Sequence, residues 1–199
     1  MVEITDYLKN HWAEVAGTIL SIIYLYLSIK QKVSLWIFGF LCSALYIYVF
    51  FVSKFYADMS LQFYYLGVSV YGWISWKMGK QKSGAELPVK HTSGKQGLVL
   101  LIVVLTIYLV YYYILSGFTD SPLPKADSLT TALSIVATWM LAKKLIEQWL
   151  LWIFIDGLSS GLYFYKGLNL TGVLFIIYTI MAVVGYVQWL KSMRQRQRF

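Results

Sequence analysis

The sequence predicts an all-α polytopic membrane protein of seven transmembrane helices, and three observations carry that reading. The 199-residue chain is 59% hydrophobic and 18% aromatic with only 13% charged residues, more apolar surface than a soluble domain of this size can hide. Seven apolar runs divide it, mostly of roughly 17 to 22 residues, the length that crosses a ~30 Å hydrocarbon layer. The third observation is that the basic residues cluster in every second loop.

Taken in order, the spans are expected at residues 13–29, 34–52, 59–76, 98–116, 129–142, 149–165 and 170–190. The acidic start, Met-Val-Glu-Ile-Thr-Asp, lacks the basic region and small-residue cleavage site of a signal peptide, so the first span is read as retained. The fourth is ended by the turn Ser121-Pro-Leu-Pro124. The fifth is short and Thr-rich and needs residues 126–128 to complete its crossing, with Asp127 or Ser128 as its cap. Asn169-Leu-Thr171 matches a glycosylation sequon but, opening the seventh span, reads better as a helix cap.

The net charge of +8 would suggest nucleic acid in a soluble protein, but here placement explains it and no nucleic-acid partner is expected. Loops after the first, third and fifth spans, with the C-terminus, hold thirteen of the seventeen lysines and arginines; Lys9, Lys54, Lys125 and Lys166 lie on the other side. Positive residues favour the inside, which puts the C-terminus in the cytoplasm and the N-terminus outside a bacterial cytoplasmic membrane. Tryptophans Trp36, Trp73, Trp76 and Trp189 fall near cytoplasmic span ends and read as an interfacial belt.

The chain also repeats itself. The segment Trp36-Ile-Phe-Gly-Phe-Leu aligns with Trp152-Ile-Phe-Ile-Asp-Gly-Leu, one residue longer, and Tyr65, Gly72 and Trp76 match Tyr178, Gly185 and Trp189 at equal spacing. With one span intervening, the two triplets start on the same side of the membrane and are parallel. The expected organisation is 3+1+3: a first three-helix repeat over 13–77, a basic mobile loop over 78–97, a linker helix over 98–117, a second repeat over 126–190 and a basic tail over 191–199. SWEET sugar transporters have this arrangement, with the substrate site at the repeat interface near the midplane.

Asp156 is the first candidate site residue. A carboxylate inside a span costs at least ~3 kcal/mol on insertion scales, so a functional role is the default, with a structural hydrogen bond from Ser134, Thr138 or backbone as the alternative. Trp149, Trp152 and Asp156 stand at i, i+3 and i+7 on one helix face, an anion beside aromatic rings that suits a flat organic cation. In the first repeat the equivalent position falls in the apolar segment 39–41. Asp58 and Gln62 form a second polar pair, read as ligand recognition or as helix capping with a helix-to-helix bond. Trp139, Thr138, Tyr46 and Tyr163 are weaker candidates.

Enzyme classes fail against these spans. A lone Cys42 permits neither an intrachain disulfide nor a thiolate metal site, and His11 and His91 fall in terminal or loop positions, so no metal or cofactor is expected. Intramembrane proteolysis needs a Ser–His pair or two carboxylates at depth, the last span lacks a Schiff-base lysine, and no phosphate-cradling G-x-x-x-x-G-K-[ST] loop appears.

Trp149-Leu-Leu-Trp152-Ile-Phe-Ile-Asp156 resembles the W-x-x-W-x-x-x-N/D signature of the PnuC family of vitamin transporters, and Tyr56-Ala-Asp-Met-Ser-Leu-Gln62 with Tyr71-Gly-Trp73 resembles its third-helix pattern. The resemblance runs from about Glu14 to Trp189. It implies facilitated diffusion of a dephosphorylated B vitamin, trapped afterwards by a cytoplasmic vitamin kinase, with Trp149, Trp152, Asp156 and Gln62 lining the substrate cavity. Family members take nicotinamide riboside, thiamine or riboflavin. Nicotinamide-riboside transporters of the family resemble one another in carrying Asn at the last motif position, where ionised Asp accepts hydrogen bonds only. Thiamine, through a PnuT-like member, is therefore the preferred expectation; nicotinamide riboside and a proton-coupled carrier are the alternatives. The lipid-facing surface fits a monomer or a homo-oligomer.

Overall fold

The structure is a computed structural model that describes residues 12–52, 56–83, 87–119, 122–165, 167 and 169–196. Seven helices follow one another among them: α1 (Trp12–Ile29), α2 (Leu35–Val52), α3 (Tyr56–Ser83), α4 (Gly94–Phe118), α5 (Pro124–Ala142), α6 (Gln148–Tyr165) and α7 (Asn169–Arg196). Each overlaps an expected span, and several run beyond it. By length and composition Leu35–Val52, Gly94–Phe118 and Thr171–Arg196 suffice to cross a membrane, and Val15–Ile29 is a shorter apolar stretch.

Helix starts follow local chemistry. Ser93 accepts from the Gln96 amide while its own N–H donates to the Gln96 side chain, a capping box that satisfies N–H groups at the start of α4. The expected cap of α5 by Asp127 or Ser128 is not what forms. Pro124 opens that helix behind Leu123, because proline has no N–H to orphan and its φ is already helical; Asp127 lies in the first turn and Ser128 Oγ donates back to the Pro124 carbonyl. α3 runs on to Ser83, past the expected end at Trp76, and α4 starts at Gly94, so the basic connection is shorter than the sequence suggests.

Two compact units divide the chain, residues 1–87 and 88–199. In the first, α2 packs against α1 and α3; in the second, α4 packs on α5, α5 on α6 and α6 on α7. α4 buries no residue, and Leu98, Leu101, Ile102, Leu105 and Leu109 are all more than half exposed. So apolar a surface suits a hydrocarbon solvent, in which outward leucines cost nothing.

Both units build the same local structures 113 residues apart. Gln31 and Lys144 both take φ 54° in the turns before α2 and α6. Around them the bonds from Lys30 N to Tyr26 O, Gln31 N to Ser28 O and Lys32 N to Leu27 O recur as Lys143 N to Trp139 O, Lys144 N to Leu141 O and Leu145 N to Met140 O. The Lys30 ammonium lies over the Tyr26 ring and the Lys143 ammonium over Trp139. Trp36 meets Trp76 edge-to-face at 5.5 Å, and Trp149 meets Trp189 in the same way at 5.6 Å. The counterpart of Trp36 is thus Trp149, where the sequence alignment paired it with Trp152. The register moves accordingly, and the residue equivalent to Asp156 is Ser43, not the 39–41 segment. Trp36, Trp76 and Trp189 are each at most 2% exposed, so the belt reading fails for them; Trp73, 40% exposed with Lys77 above its ring, fits it.

Each tryptophan pair closes over a glycine. A Cβ on Gly72 would run into the Trp36 indole, and one on Gly185 would lie 2.6 Å from the Trp149 ring. Gly72→Ala and Gly185→Ala are each expected to cost about 1–3 kcal/mol by overpacking. Thermal unfolding in detergent measures it; an unchanged midpoint would refute the close fit.

In the second unit, residues ahead of α4 are fastened to the α5–α6 turn. Lys90 N donates to Lys144 O and Ile146 N to Lys90 O, while the Glu147 carboxylate accepts from Thr92 N, Thr92 Oγ1 and His91 Nδ1 at 2.7–2.9 Å. This part of the expected mobile loop is therefore tied down, and His91, in its loop position and 61% exposed, is part of the tie. Partial burial pushes the Glu147 carboxyl up, but the bonds from Thr92 and His91 outweigh it and hold the group below the usual glutamate value. A carboxyl lowered in the fold contributes its stability above the ordinary glutamate range and loses it as pH falls through the folded value. The protection factor of the Thr92 amide hydrogen, its exchange compared with the intrinsic rate at the same pH, is expected to fall on acidification below that range, and Glu147→Gln to abolish the dependence.

Candidate functional site

α6 is sided in the sense a membrane demands. Gln148, Ile155, Asp156, Ser159 and Ser160 are buried on one face, and Leu150 and Phe154, about half exposed, occupy the other. Polar side chains thus point into the protein and apolar ones away from it. Ser160 Oγ donates to the Gly172 carbonyl on α7 at 2.9 Å, which commits that hydroxyl to helix packing.

Asp156 is 7% exposed, and among the described residues no hydrogen bond or ion pair reaches its carboxylate. The structural alternative required a donor such as Thr138. That hydroxyl instead donates to Ser134 O at 2.8 Å on its own helix. A buried carboxylate with no partner is costly, and the cost is offset when a cation or donor arrives from outside the chain. Trp152, one helical turn before it on the same face, is half-buried.

The other expected residues separate by role. Trp149 is 1% exposed, its ring committed to Trp189 and Gly185, and its Nε1 has no partner. Trp139 packs beside the Val136, Met140 and Leu145 cluster, with Leu100, Val104 and Leu151 around it. Tyr163 stacks on Phe175 at 5.0 Å. In the first unit, Tyr46 stacks on Phe50 and closes over Gly17, and Gln62 is half-buried on α3. The Asp58 side chain lies outside the described residues. On α6, then, Trp152 and Asp156 are brought together with Trp149 behind them. Gln148, which is not among the residues expected at the site, has its side-chain Oε1 and Nε2 buried without partners. The signal for it was present: an amide opening a span, in register with Trp152 and Asp156. It was masked by the neighbouring Glu147, which made the residue look like membrane-edge polarity.

Among the described residues no group of three or more His, Cys, Asp or Glu side chains is placed to hold a metal ion.

Comparison with known proteins gives one consistent answer. The sequence profile described as nicotinamide mononucleotide transporter matches residues 11–191. The chain is similar to the nicotinamide riboside transporter PnuC of Escherichia coli K12, 28% identical over 93% of this chain and 87% of that one. It is also similar to the riboflavin/roseoflavin transporter RibM of Streptomyces davaonensis, 24% identical over 94% and 88%. Among solved structures it resembles the vitamin B3 transporter PnuC, with a TM-score of 0.74 and 26% identity over 98% of this chain and 87% of that one. A match over almost the whole chain, on a fold of seven helices among the described residues, shows that this protein belongs to the nicotinamide mononucleotide transporter (PnuC) family of membrane transporters.

Proposed function

We propose that this protein takes up a dephosphorylated, positively charged B vitamin by facilitated diffusion, with thiamine as the preferred substrate. The observation that carries the proposal is Asp156, a buried, unpartnered carboxylate one turn from the half-buried Trp152. Thiamine and nicotinamide riboside both present a flat ring with a fixed positive charge, which an aromatic face and an anion recognise together. Thiamine also carries an exocyclic amine, for which an acceptor-only carboxylate is the better match. Nicotinamide riboside is the second reading, favoured by the names of the PnuC relatives.

In this reading α1–α3 and α5–α7 are parallel repeats joined by α4, supported by the turns, lysine–aromatic contacts and tryptophan pairs that recur 113 residues apart. The lysine-rich ends face the cytoplasm, where a vitamin kinase traps the product by adding charge. Asp156 serves as a fixed counter-ion and needs no proton cycle. Gln62, Asp58, Trp139, Thr138, Tyr46 and Tyr163 stay as proposed contributors, each tested by alanine replacement in the same assay.

Purified protein in liposomes is expected to admit labelled thiamine with no ion gradient imposed. An absolute requirement for a pH gradient would replace uniport by proton coupling. Calorimetric titration side by side sorts the substrates, and nicotinamide riboside binding tenfold more tightly than thiamine, about 1.4 kcal/mol, would reverse the preference.

A further inference from the structure

Gln148 is fully buried at the first position of α6, and both polar atoms of its side chain lack a partner. Such an amide forgoes two donors and an acceptor, a cost that a fold does not normally carry for packing alone. Nor does packing require it. The residue 113 positions earlier, at the head of α2 beside the equivalent tryptophan, is Leu35, equally buried at 0% exposure. An apolar side chain of similar size fills the same kind of position in one unit, so the amide in the other is there for something other than the fold.

Its placement indicates what. Gln148, Trp152 and Asp156 stand at i, i+4 and i+8, within about 80° of arc on the inward face of α6, and eight residues of helix set the two ends about 12 Å apart. A ligand whose charged ring lies against Trp152 and Asp156 would extend its tail along that face. Thiamine ends in a hydroxyethyl group, and nicotinamide riboside in a ribose with a terminal hydroxymethyl. A hydroxyl both donates and accepts, as does a carboxamide, so the two are complementary.

We infer that Gln148 is a specificity-determining residue, its carboxamide hydrogen-bonding the terminal hydroxyl of the vitamin held by Trp152 and Asp156. The inference rests on the function proposed above. It adds a discrimination that Asp156 alone does not provide: a vitamin with its free hydroxyl is preferred to an analogue without it, because an unfilled amide is left unpaired.

The test is calorimetric titration of full-length, detergent-purified wild type and Gln148→Leu with whichever of thiamine and nicotinamide riboside the wild type binds. Each is paired with an analogue whose terminal CH2OH is replaced by CH3. Wild type is expected to prefer the hydroxylated vitamin by about five-fold or more, and Gln148→Leu to lose that preference while binding the deoxy analogue as wild type does. The thermal midpoint of the variant without ligand is expected to be unchanged or higher, since Leu35 holds the corresponding position; Gln148→Met provides a second apolar replacement. Equal preference in wild type and variant overturns the inference, as does a fall in midpoint for both variants, which would make the amide structural. Loss of binding in Asp156→Ala together with an unaltered Gln148→Leu would sink this inference alone. A wild type that binds neither vitamin sinks both.

Discussion

Asp156→Ala is expected to weaken binding of the cationic vitamin by at least about 1 kcal/mol, more than five-fold in Kd by calorimetric titration, with little loss of stability. The carboxylate is 7% exposed and has no hydrogen-bond or ion-pair partner among the described residues, so removing it breaks nothing within the fold. Taking away an unpaired buried charge is neutral or stabilising, whereas breaking a buried pair costs several kcal/mol. The thermal midpoint therefore separates the two roles: a drop would mean a hidden partner, and a steady or raised value an empty ligand position.

The substitution Asp156→Asn sharpens the result. It keeps the shape, removes the charge and adds a donor, which suits a carboxamide and not an exocyclic amine. Thiamine affinity is expected to fall and nicotinamide riboside affinity to fall less or to rise. Unchanged affinity for both vitamins in Asp156→Ala would make Asp156 structural and remove the observation on which the proposed function stands.

How far the sequence reaches depends on whether a feature is written in periodicity or in contact. The spans were legible because hydropathy alone dictates them in lipid; even the weak fifth emerged near its expected start, although Pro124 rather than Asp127 opens it. The tryptophans were not legible. Trp36, Trp76 and Trp189 look like belt residues because hydropathy places them at span ends, but belt and core differ only in what faces the ring, here Gly72 and Gly185. The same blindness misaligned the repeats. A shared Trp-Ile-Phe string pulled Trp36 onto Trp152, while the turn that fixes the register places different residues, Gln31 and Lys144, at its positive-φ position and shares with its counterpart only the preceding lysine, Lys30 or Lys143. Glu147 and His91, fifty-six residues apart, carry no sequence pattern that would pair them. Asp156 was legible for the opposite reason: a carboxylate in an apolar span is anomalous whatever surrounds it.

The corrected register assigns the two motif tryptophans different work, and Trp149→Ala should reveal it as the largest stability loss of any single site replacement. The Trp149 ring is 1% exposed, meets Trp189 edge-to-face at an interplanar angle of 85°, and rests on Gly185 of α7. Deleting it leaves an indole-sized cavity between α6 and α7, at a cost of about 3–5 kcal/mol, part of it the lost aromatic pair. Trp152, half-buried and outside any such pair, is expected to lose binding by at least about 1 kcal/mol on replacement by alanine, with a far smaller change in thermal midpoint. Trp189→Ala reports on the same contact from the other side and should reproduce the Trp149→Ala midpoint. Since the two residues form one unit, the double replacement is expected to cost clearly less than the sum of the singles. Additive losses would dissolve the pair, and a stable Trp149→Ala that has lost its ligand would return Trp149 to the substrate surface.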